Sequence, residues 1–385
     1  MRILHVVPTY LPAWRHGGPV RAVHGLCKAL AARGHEVTVF TTNIHGDGTL
    51  DIPAEKPVWI DDVEVRYFEV QFPRRLYFAP GMRRALRNDV AGFDVVHLHS
   101  VFLWPTTAAA RAAERAGVTY VLSPRGMLVP DLMRSRGRWR KGAWMLLAER
   151  RTIQNASALH ATSSLEAQEA ARLGLPLPKT VVVPNGIDAE PWTGNGSLPS
   201  SAIRNLLAGG PFLLFLGRIS WKKGLDRLIP AMAAVPGAAL AVAGNDEEGL
   251  RPGLERLSRR AGVADRIVFL GPVQGTDKAT LLHRAAALVL PSHSENFGNV
   301  VLEAWAAGRP VVVTPEVGLA EAVRETGAGV VAEGDLGGAL RGLLADPDRC
   351  DQMGRRGADA VREHYSWSSV AREMERVYQQ IGVGQ

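Results

Sequence analysis

Residues 291–308 read Pro-Ser-His-Ser-Glu-Asn-Phe-Gly-Asn-Val-Val-Leu-Glu-Ala-Trp-Ala-Ala-Gly, and this stretch decides the fold class. An apolar run typical of a buried strand ends at Leu290, and a helix is predicted to begin near residues 298–299. The loop between them carries Glu295, whereas Glu303 lies inside the helix. Strand, polar loop and helix in this order form the repeating unit of a doubly wound α/β sheet.

The start of this helix suits an anionic ligand. Free backbone amides and the positive end of the helix dipole are expected around Asn299–Val301, where they favour a group such as a diphosphate. Glu295 and Glu303 need not act as a pair. One carboxylate can reach a ligand at the helix mouth while the other contacts a more distant part of the same ligand.

Two further glycine-bounded loops follow predicted strands. Residues 217–224 read Gly-Arg-Ile-Ser-Trp-Lys-Lys-Gly and come directly after the apolar run Phe212–Leu216. Their cations can neutralise a diphosphate without a metal ion, although a plain basic turn has the same composition. The phosphate-binding pattern GxxxxGK[ST] is absent. Gly17-Gly18 follows the first predicted strand, either as a phosphate-facing loop or as a tight turn.

Strands alternate with helices along the whole chain, with a break after residue 190. Residues 191–201 are rich in Gly, Pro, Ser and Asn, which is typical of a linker. At 385 residues the chain is too long for one ordinary core, so two consecutive doubly wound domains are predicted. After Ser366 an apolar stripe of helical period predicts a last helix that docks on one of the two domains.

The composition excludes several classes of protein. With 46% hydrophobic and 22% charged residues, the chain is an ordinary globular sequence rather than a disordered one. Only Cys27 and Cys350 are present, which fits a reducing compartment without disulfides. No uncharged apolar run approaches the ~18 residues of a membrane span, and the N-terminus reads as a strand rather than a signal peptide. A cytoplasmic protein is expected.

The three motifs, in this order and at these junctions, resemble the retaining glycosyltransferase family 4. Residues Val182–Asp188 and Tyr365–Trp367 extend the resemblance over essentially the whole chain. It implies the GT-B fold, with two Rossmann-like α/β domains facing across a cleft. Residues 1–188 would bind the acceptor and residues 189–365 the nucleotide-sugar donor. Residues 366–385 would form a helix that crosses back to the N-terminal domain.

The resemblance also assigns residues. Arg218 and Lys223 would clamp the donor diphosphate, Glu303 would bind the ribose hydroxyls, and Glu295 would contact the transferred sugar. The expected catalytic residues are Glu295, Arg218, Lys223 and Arg125. The remaining donor-binding positions are Gly17 and Gly18 over the diphosphate, Gly271 and Val273 at the nucleobase, Asn296, Phe297 and Gly298 around the sugar, and Val300 and Val301 at the phosphates.

The sequence departs from the family near residue 125. Many relatives place a histidine beside the donor sugar, where this chain reads Ser123-Pro-Arg-Gly-Met-Leu128. Arg125 would occupy or adjoin that place, where a fixed cation suits an anionic acceptor or the leaving phosphate. The segment resembles members that work on bacterial surface polysaccharides. His97 and His99 share one strand face, but no further ligands at metal-site spacing are evident, so structural or acceptor-facing histidines are favoured.

The implied activity is transfer of a hexosyl group, with retention, from a UDP- or GDP-linked sugar to a saccharide hydroxyl. Two reaction routes retain the anomeric configuration: attack on the same face of the sugar, or a double displacement through Glu295. No metal or other cofactor is expected, and no nucleic acid partner. A transferase with a soluble small-molecule acceptor, a nucleotide-sugar 2-epimerase and a binding module without turnover are the alternatives. The intact charged residues Arg218, Lys223, Glu295 and Glu303 argue against the last of these.

The charge is distributed unevenly. Residues 1–200 hold 24 Lys and Arg against 17 Asp and Glu, whereas residues 201–385 hold 21 of each, so the +7 net charge lies in the first half. Its densest part, Arg134–Lys141, is interleaved with Trp139 and followed by Trp144. Such a stretch favours peripheral contact with an anionic membrane face and a polyprenyl-diphosphate-linked acceptor. A solvated basic surface is the alternative.

Overall fold

A computed structural model describes residues 1–13, 18–128, 149–188 and 199–383. These residues form two compact units. Unit 1 comprises residues 1–186 together with 367–385, and unit 2 comprises residues 187–366. The sequence placed the corresponding boundaries at residues 188 and 365. Both units are α/β, as the alternation of strands and helices predicted.

Unit 1 is built on an eight-stranded sheet of order β10-β9-β8-β7-β1-β2-β6-β5. All neighbours are parallel except β5, which pairs antiparallel with β6 at one edge. Its strands, with the short hairpin β3–β4, are β1 (Arg2–Val6), β2 (Glu36–Thr42), β3 (Ile44–His45), β4 (Gly48–Thr49), β5 (Pro57–Ile60), β6 (Val63–Phe68), β7 (Val95–His99), β8 (Tyr120–Ser123), β9 (Ala158–Ala161) and β10 (Thr180–Val182). The inner strands are buried on both faces, which explains their continuous apolar runs.

The described helices of unit 1 cover both faces of this sheet with two apolar clusters. They are α1 (Gly18–Ala31), α2 (Pro80–Asp89), α3 (Trp104–Ala116), α4 (Arg150–Gln154), α5 (Ser164–Ala171) and, at the C-terminus, α14 (Trp367–Gln380). The predicted apolar stripe of α14 is buried in the same cluster as α1. The two helices approach closely at Gly25, where a Cβ would lie 2.2 Å from the Trp367 ring. Burial of this stripe ties the chain's last helix to unit 1.

Unit 2 is built on a six-stranded, wholly parallel sheet of order β13-β12-β11-β14-β15-β16. The strands are β11 (Phe212–Leu216), β12 (Ala239–Ala243), β13 (Ile267–Gly271), β14 (Ala287–Leu290), β15 (Val311–Val313) and β16 (Gly329–Val331). The α-helices are α6 (Ser201–Ala208), α7 (Leu225–Ala231), α8 (Arg251–Arg260), α9 (Gly275–Arg284), α10 (Asn299–Ala306), α11 (Ala320–Thr326), α12 (Leu336–Leu344) and α13 (Pro347–Ala360).

The strand order of unit 2 reverses at β11. The chain runs outward through β12 and β13, then returns to place β14 on the other side of β11. Ligands of doubly wound sheets bind outside the carboxyl ends of the strands at such a switch point. Buried core side chains, among them Trp305, anchor α10 beneath this point. Among the described helices of both units, none is long and apolar enough to cross a membrane.

Candidate functional site

The two strongest sequence motifs meet at the switch point of unit 2. Strands β11 and β14 are hydrogen-bonded neighbours, with Leu214 opposite Leu288. The loop that begins at Gly217 follows β11, and the loop that carries Glu295 follows β14. Because parallel strands end at the same edge of a sheet, the basic loop and the acidic loop face each other there.

A close backbone contact locks these two loops together. Gly224 ends the short 3₁₀ turn Trp221–Lys223 with a left-handed φ of 70°, and it begins α7. A Cβ on Gly224 would lie 1.9 Å from the carbonyl oxygen of Pro291, so no other residue fits without displacing the backbone. The His293 amide also donates to the Lys222 carbonyl at 2.7 Å. The turn that carries Lys223 is therefore fixed against the β14 loop.

Lys223 and Glu295 form an ion pair across the two loops. Their side chains are 19% and 18% exposed, so the pair is partly shielded from water. Glu295 is fixed from behind, because its amide donates to the Glu316 carbonyl at 3.0 Å and its carbonyl accepts from Gly318 at 2.9 Å. The pair brings together a cation and a carboxylate that the sequence assigned separately to the diphosphate and the sugar.

Arg218 lies on the same loop but is far more exposed. Its side chain is 66% exposed and donates to Glu247 in the loop after β12 at 2.9 Å. An exposed pair of this kind contributes little stability, so an anionic ligand can displace Glu247 at small cost. Glu247 was not predicted, because nothing in its local sequence shows which strand-end loop lies beside Arg218.

The other residues predicted to contact the sugar and the phosphates lie around the start of α10, and not all of their side chains are accessible to a ligand. Gly298 has a left-handed φ of 96° at the start of α10. Phe297 is buried in the core, which leaves only its backbone for a ligand. The Val301 amide was predicted to bind a phosphate. In the structure it donates to the Gly298 carbonyl at 2.8 Å. Asn296 and Val300 are half-buried on either side of this turn.

Glu303 lies in the second turn of α10, where it pairs with a residue that was not predicted. Lys278, in the first turn of α9, donates from Nζ to Glu303 Oε1 at 2.7 Å. Both side chains are nearly covered, at 12% and 13% exposed. The other oxygen, Oε2, is buried and has no hydrogen-bond partner among the described residues. A buried acceptor without a partner is costly, and a ligand hydroxyl would satisfy it.

The predicted nucleobase segment follows β13 at the outer edge of the sheet. Gly271 ends that strand with a φ of 71°, and its carbonyl accepts from the Gly244 amide at 2.8 Å. Val273 packs in part against the core. The two residues lie at the same carboxyl edge as Arg218, two strands away from β11.

In unit 1, Gly17 lies outside the described residues and Gly18 is the first residue of α1. Arg125 adopts a left-handed φ of 55° two residues after the end of β8. It donates from Nη1 to Asn185 Oδ1 at 2.8 Å and from Nε to His99 Nδ1 at 3.4 Å. Desolvation lowers the pKa of Arg125 to about 10, with partial compensation from the Glu166 carboxylate. The cation is thus held by polar partners within unit 1.

Four buried histidines surround this arginine: His5, His97, His99 and His160. The Val183 carbonyl accepts from His160 Nε2 at 2.8 Å, so the Nδ1 of neutral His160 accepts from His97 Nε2 at 3.2 Å. His97 Nδ1 then accepts from the Tyr378 hydroxyl on α14 at 2.8 Å.

A second chain of hydrogen bonds begins at Arg125. Its Nε–H donates to His99 Nδ1, so the proton of the neutral His99 ring is on Nε2. His99 Nε2 then donates to His5 Nδ1 at 2.9 Å. These two chains fix the tautomer of every ring.

The same cluster is the group of described residues closest to a metal site. His5, His97 and His99 each place one nitrogen within 4.8 Å of the others. A shared ion would break the His5–His99 hydrogen bond and would lie beside the Arg125 cation. The rings of His97 and His99 are also stacked at 4.3 Å, so they do not converge on one point. These three histidines therefore do not fit a metal ion.

Comparisons with known proteins agree with this architecture. Residues 17–186 match the family described as glycosyl transferase 4-like domain, and residues 201–360 match glycosyl transferases group 1. The D-inositol 3-phosphate glycosyltransferase of Xylanimonas cellulosilytica is 30% identical over 99% of this chain and 96% of its own. A glycogen synthase of Mycobacterium tuberculosis is 31% identical over 98% and 94%.

Solved structures show the same fold. Sucrose-phosphate synthase from Thermosynechococcus elongatus superimposes with a TM-score of 0.76 at 21% identity, covering both chains completely. HepE of Anabaena, solved with UDP and glucose, gives 0.73 at 19% identity over 99% of this chain and all of its own. The fold and the switch-point site define a GT-B glycosyltransferase. The chain belongs to glycosyltransferase family 4, the glycosyl transferases group 1 family.

Proposed function

We propose that this enzyme transfers a hexosyl group from a nucleotide-diphospho-sugar to a saccharide hydroxyl. The observation that carries the proposal is the set of charges at the switch point of unit 2. Arg218 and Lys223 supply the cations for a diphosphate, and Glu295 supplies a carboxylate beside them. The unpartnered oxygen of Glu303 supplies an acceptor for a ribose hydroxyl. HepE, which shares the fold, was solved with UDP and with UDP-glucose.

The chemistry that these groups support is breakage of the anomeric C–O bond. Negative charge then develops on the departing nucleoside diphosphate, and fixed cations in a partly dry site stabilise it. In the same-face route, the acceptor oxygen bonds to the anomeric carbon while its proton passes to the departing phosphate oxygen. The products are the glycoside and the nucleoside diphosphate. The ion pair with Lys223 makes Glu295 a weaker nucleophile, which supports this route over a double displacement.

Turnover of a donor together with an acceptor tests the proposal. UDP- and GDP-hexoses are incubated with saccharide acceptors, with and without excess EDTA, and products are identified with their anomeric configuration. We expect a new glycoside with retained configuration, formed at an unchanged rate in EDTA, because lysine and arginine neutralise the diphosphate. Activity that is lost in EDTA and restored by Mn²⁺ or Mg²⁺ would contradict the metal-free clamp. Conversion of the donor without any acceptor would identify a 2-epimerase instead.

For the acceptor, we propose a lipid-diphosphate-linked saccharide of bacterial polysaccharide synthesis, met at the inner face of the membrane. The support is the excess positive charge of residues 1–200. The segment Arg134–Lys141, with Trp139 and Trp144, lies outside the described residues. A soluble acceptor is the second candidate, because relatives are named for D-inositol 3-phosphate and for glycogen.

Vesicle co-sedimentation separates these two candidates. At low salt we expect binding to anionic but not to neutral vesicles, since each basic group near an anionic surface contributes about 1 kcal/mol. Changing Arg136, Arg138, Arg140 and Lys141 to Ser should abolish that binding. Equal binding to both vesicle types, or binding unchanged in the variant, would refute the membrane contact. Efficient turnover of a soluble acceptor without a lipid carrier would refute the lipid-linked acceptor.

A further inference from the structure

We propose that Lys278 is a positioning residue, which holds the Glu303 carboxylate so that its second oxygen faces the ribose hydroxyls of the donor. This inference rests on the proposed function, because it assigns a nucleotide to the switch-point site. It adds a residue that none of the three sequence motifs contains.

The two oxygens of the Glu303 carboxylate have different surroundings. Oε1 is held by the Lys278 ammonium at 2.7 Å, a charge-assisted bond that fixes the rotation of the carboxyl group. Oε2 is buried and has no partner among the residues the structure describes. A folded protein rarely leaves such an acceptor unsatisfied unless a ligand supplies the donor. The orphan oxygen therefore marks the place of a ligand hydroxyl.

The supporting elements make this arrangement rigid. Lys278 lies in the first turn of α9, which packs against α10, the helix of Glu303. The neighbouring residue Asp277 accepts from the Ser200 amide at 2.8 Å, which anchors the same turn to the segment before α6. With both side chains about one-eighth exposed, water does little to screen the pair.

A purely structural ion pair between α9 and α10 would have the same geometry. The test must therefore measure how much the ribose hydroxyls contribute to nucleotide binding. Binding of UDP and GDP to the wild-type protein is measured by calorimetry, and the nucleotide that binds is compared with its 2′,3′-dideoxy form. The ratio of the two dissociation constants reports the hydroxyl contacts alone. A hydroxyl that bonds to a charged group corresponds to about a tenfold to hundredfold preference for the natural nucleotide.

We expect Lys278→Met to weaken binding of the natural nucleotide about tenfold or more and to bring the ratio close to one, with dideoxy binding nearly unchanged. Lys278→Arg, which keeps a donor to Oε1, should restore part of the ratio. Arg284→Met is the matched control, because it removes an exposed cation from the other end of α9. It should leave the ratio at the wild-type value.

The double variant Lys278→Met/Glu303→Gln covers the case in which Lys278→Met alone fails to fold. Removing both charges avoids a buried unpaired carboxylate, so this variant is expected to fold. Its ratio should equal that of Glu303→Gln alone. A wild-type ratio in folded Lys278→Met, or a ratio in the double variant different from that of Glu303→Gln, would overturn the inference. Failure of wild-type protein to bind either nucleotide would instead overturn the proposed function on which it rests.

Discussion

Replacing Lys223 with Met is expected to lower kcat/KM by about 10²–10³-fold while the protein stays folded. Two effects act in the same direction. The substitution removes a cation from the proposed diphosphate site, and it leaves the Glu295 carboxylate there without its partner. Because the pair is more than four-fifths covered, water compensates only in part. Steady-state kinetics with the donor varied at saturating acceptor measures the effect.

Lys222 provides the matched control, because it lies on the same 3₁₀ turn as Lys223. Its ammonium lies 5.9 Å from the centre of the Trp221 ring, whereas the Lys223 ammonium pairs with Glu295. Lys222→Met should therefore keep kcat/KM within about threefold of the wild type, as substitutions outside a transition-state contact do. Equal losses in the two variants would show that the turn tolerates no change in charge. Unchanged turnover in folded Lys223→Met would remove Lys223 from the diphosphate clamp.

The parts of the fold that sequence could predict are those with a local signature. The apolar run Phe212–Leu216 is a strand with the predicted bounds, because a strand buried on both faces must be apolar throughout. The exposed edge strand β5 and its neighbour β6 were not predicted. Their polar and apolar residues alternate around a polar turn, a weaker signal than a continuous apolar run.

The residues of the candidate site likewise include some that local sequence could predict and some that it could not. Arg218, Lys223, Glu295 and Glu303 stand in loops and a helix whose strand junctions are visible in the sequence. Lys278 was missed because its role depends on how two helices pack, and single-sequence patterns do not fix that rotation. Glu247 was missed because it lies on the loop of a neighbouring strand.

The histidine cluster shows the same limit for sheet register. The sequence placed His97 and His99 on one strand face, and the structure adds His5 directly opposite His97 on β1. His160 joins from β9, two strands beyond β7, because its ring lies over the intervening strand. Which strands are neighbours is a property of the whole topology, and 63 positions separate His97 from His160.

Lowering the pH from 7.5 to 5 is expected to destabilise the protein by several kcal/mol, chiefly through this cluster. Burial, reinforced by the Arg125 cation, lowers the pKa of His5 and His160 to about 3, and burial first lowers the pKa of His97 and His99 well below the ordinary 6.5. Below pH 6.5 the unfolded chain therefore binds more protons than the folded one. Stability is full above that pH and is lost as the pH falls toward 3.

Each histidine costs about 2 kcal/mol at pH 5, from about 1.4 kcal/mol per pH unit below 6.5. One described group opposes this trend, since burial raises the pKa of Glu149 to about 7, so its folded form gains protons first as the pH falls. That single offset, also about 2–3 kcal/mol, is smaller than the four histidine contributions together.

Urea unfolding at pH 7.5, 6.5, 5.5 and 5.0 should give a free energy of unfolding that falls more steeply, per pH unit, at each step. His5→Gln should reduce the overall fall by about a third, because it removes one contribution of about 2 kcal/mol from a net loss of about 5–6 kcal/mol. His364→Gln, which removes an exposed ring from unit 2, is the control variant. A free energy of unfolding that is flat between pH 7.5 and 5 would mean that the four rings take up protons as readily in the folded chain as in the unfolded one. The two hydrogen-bond chains that require neutral rings would then be wrong.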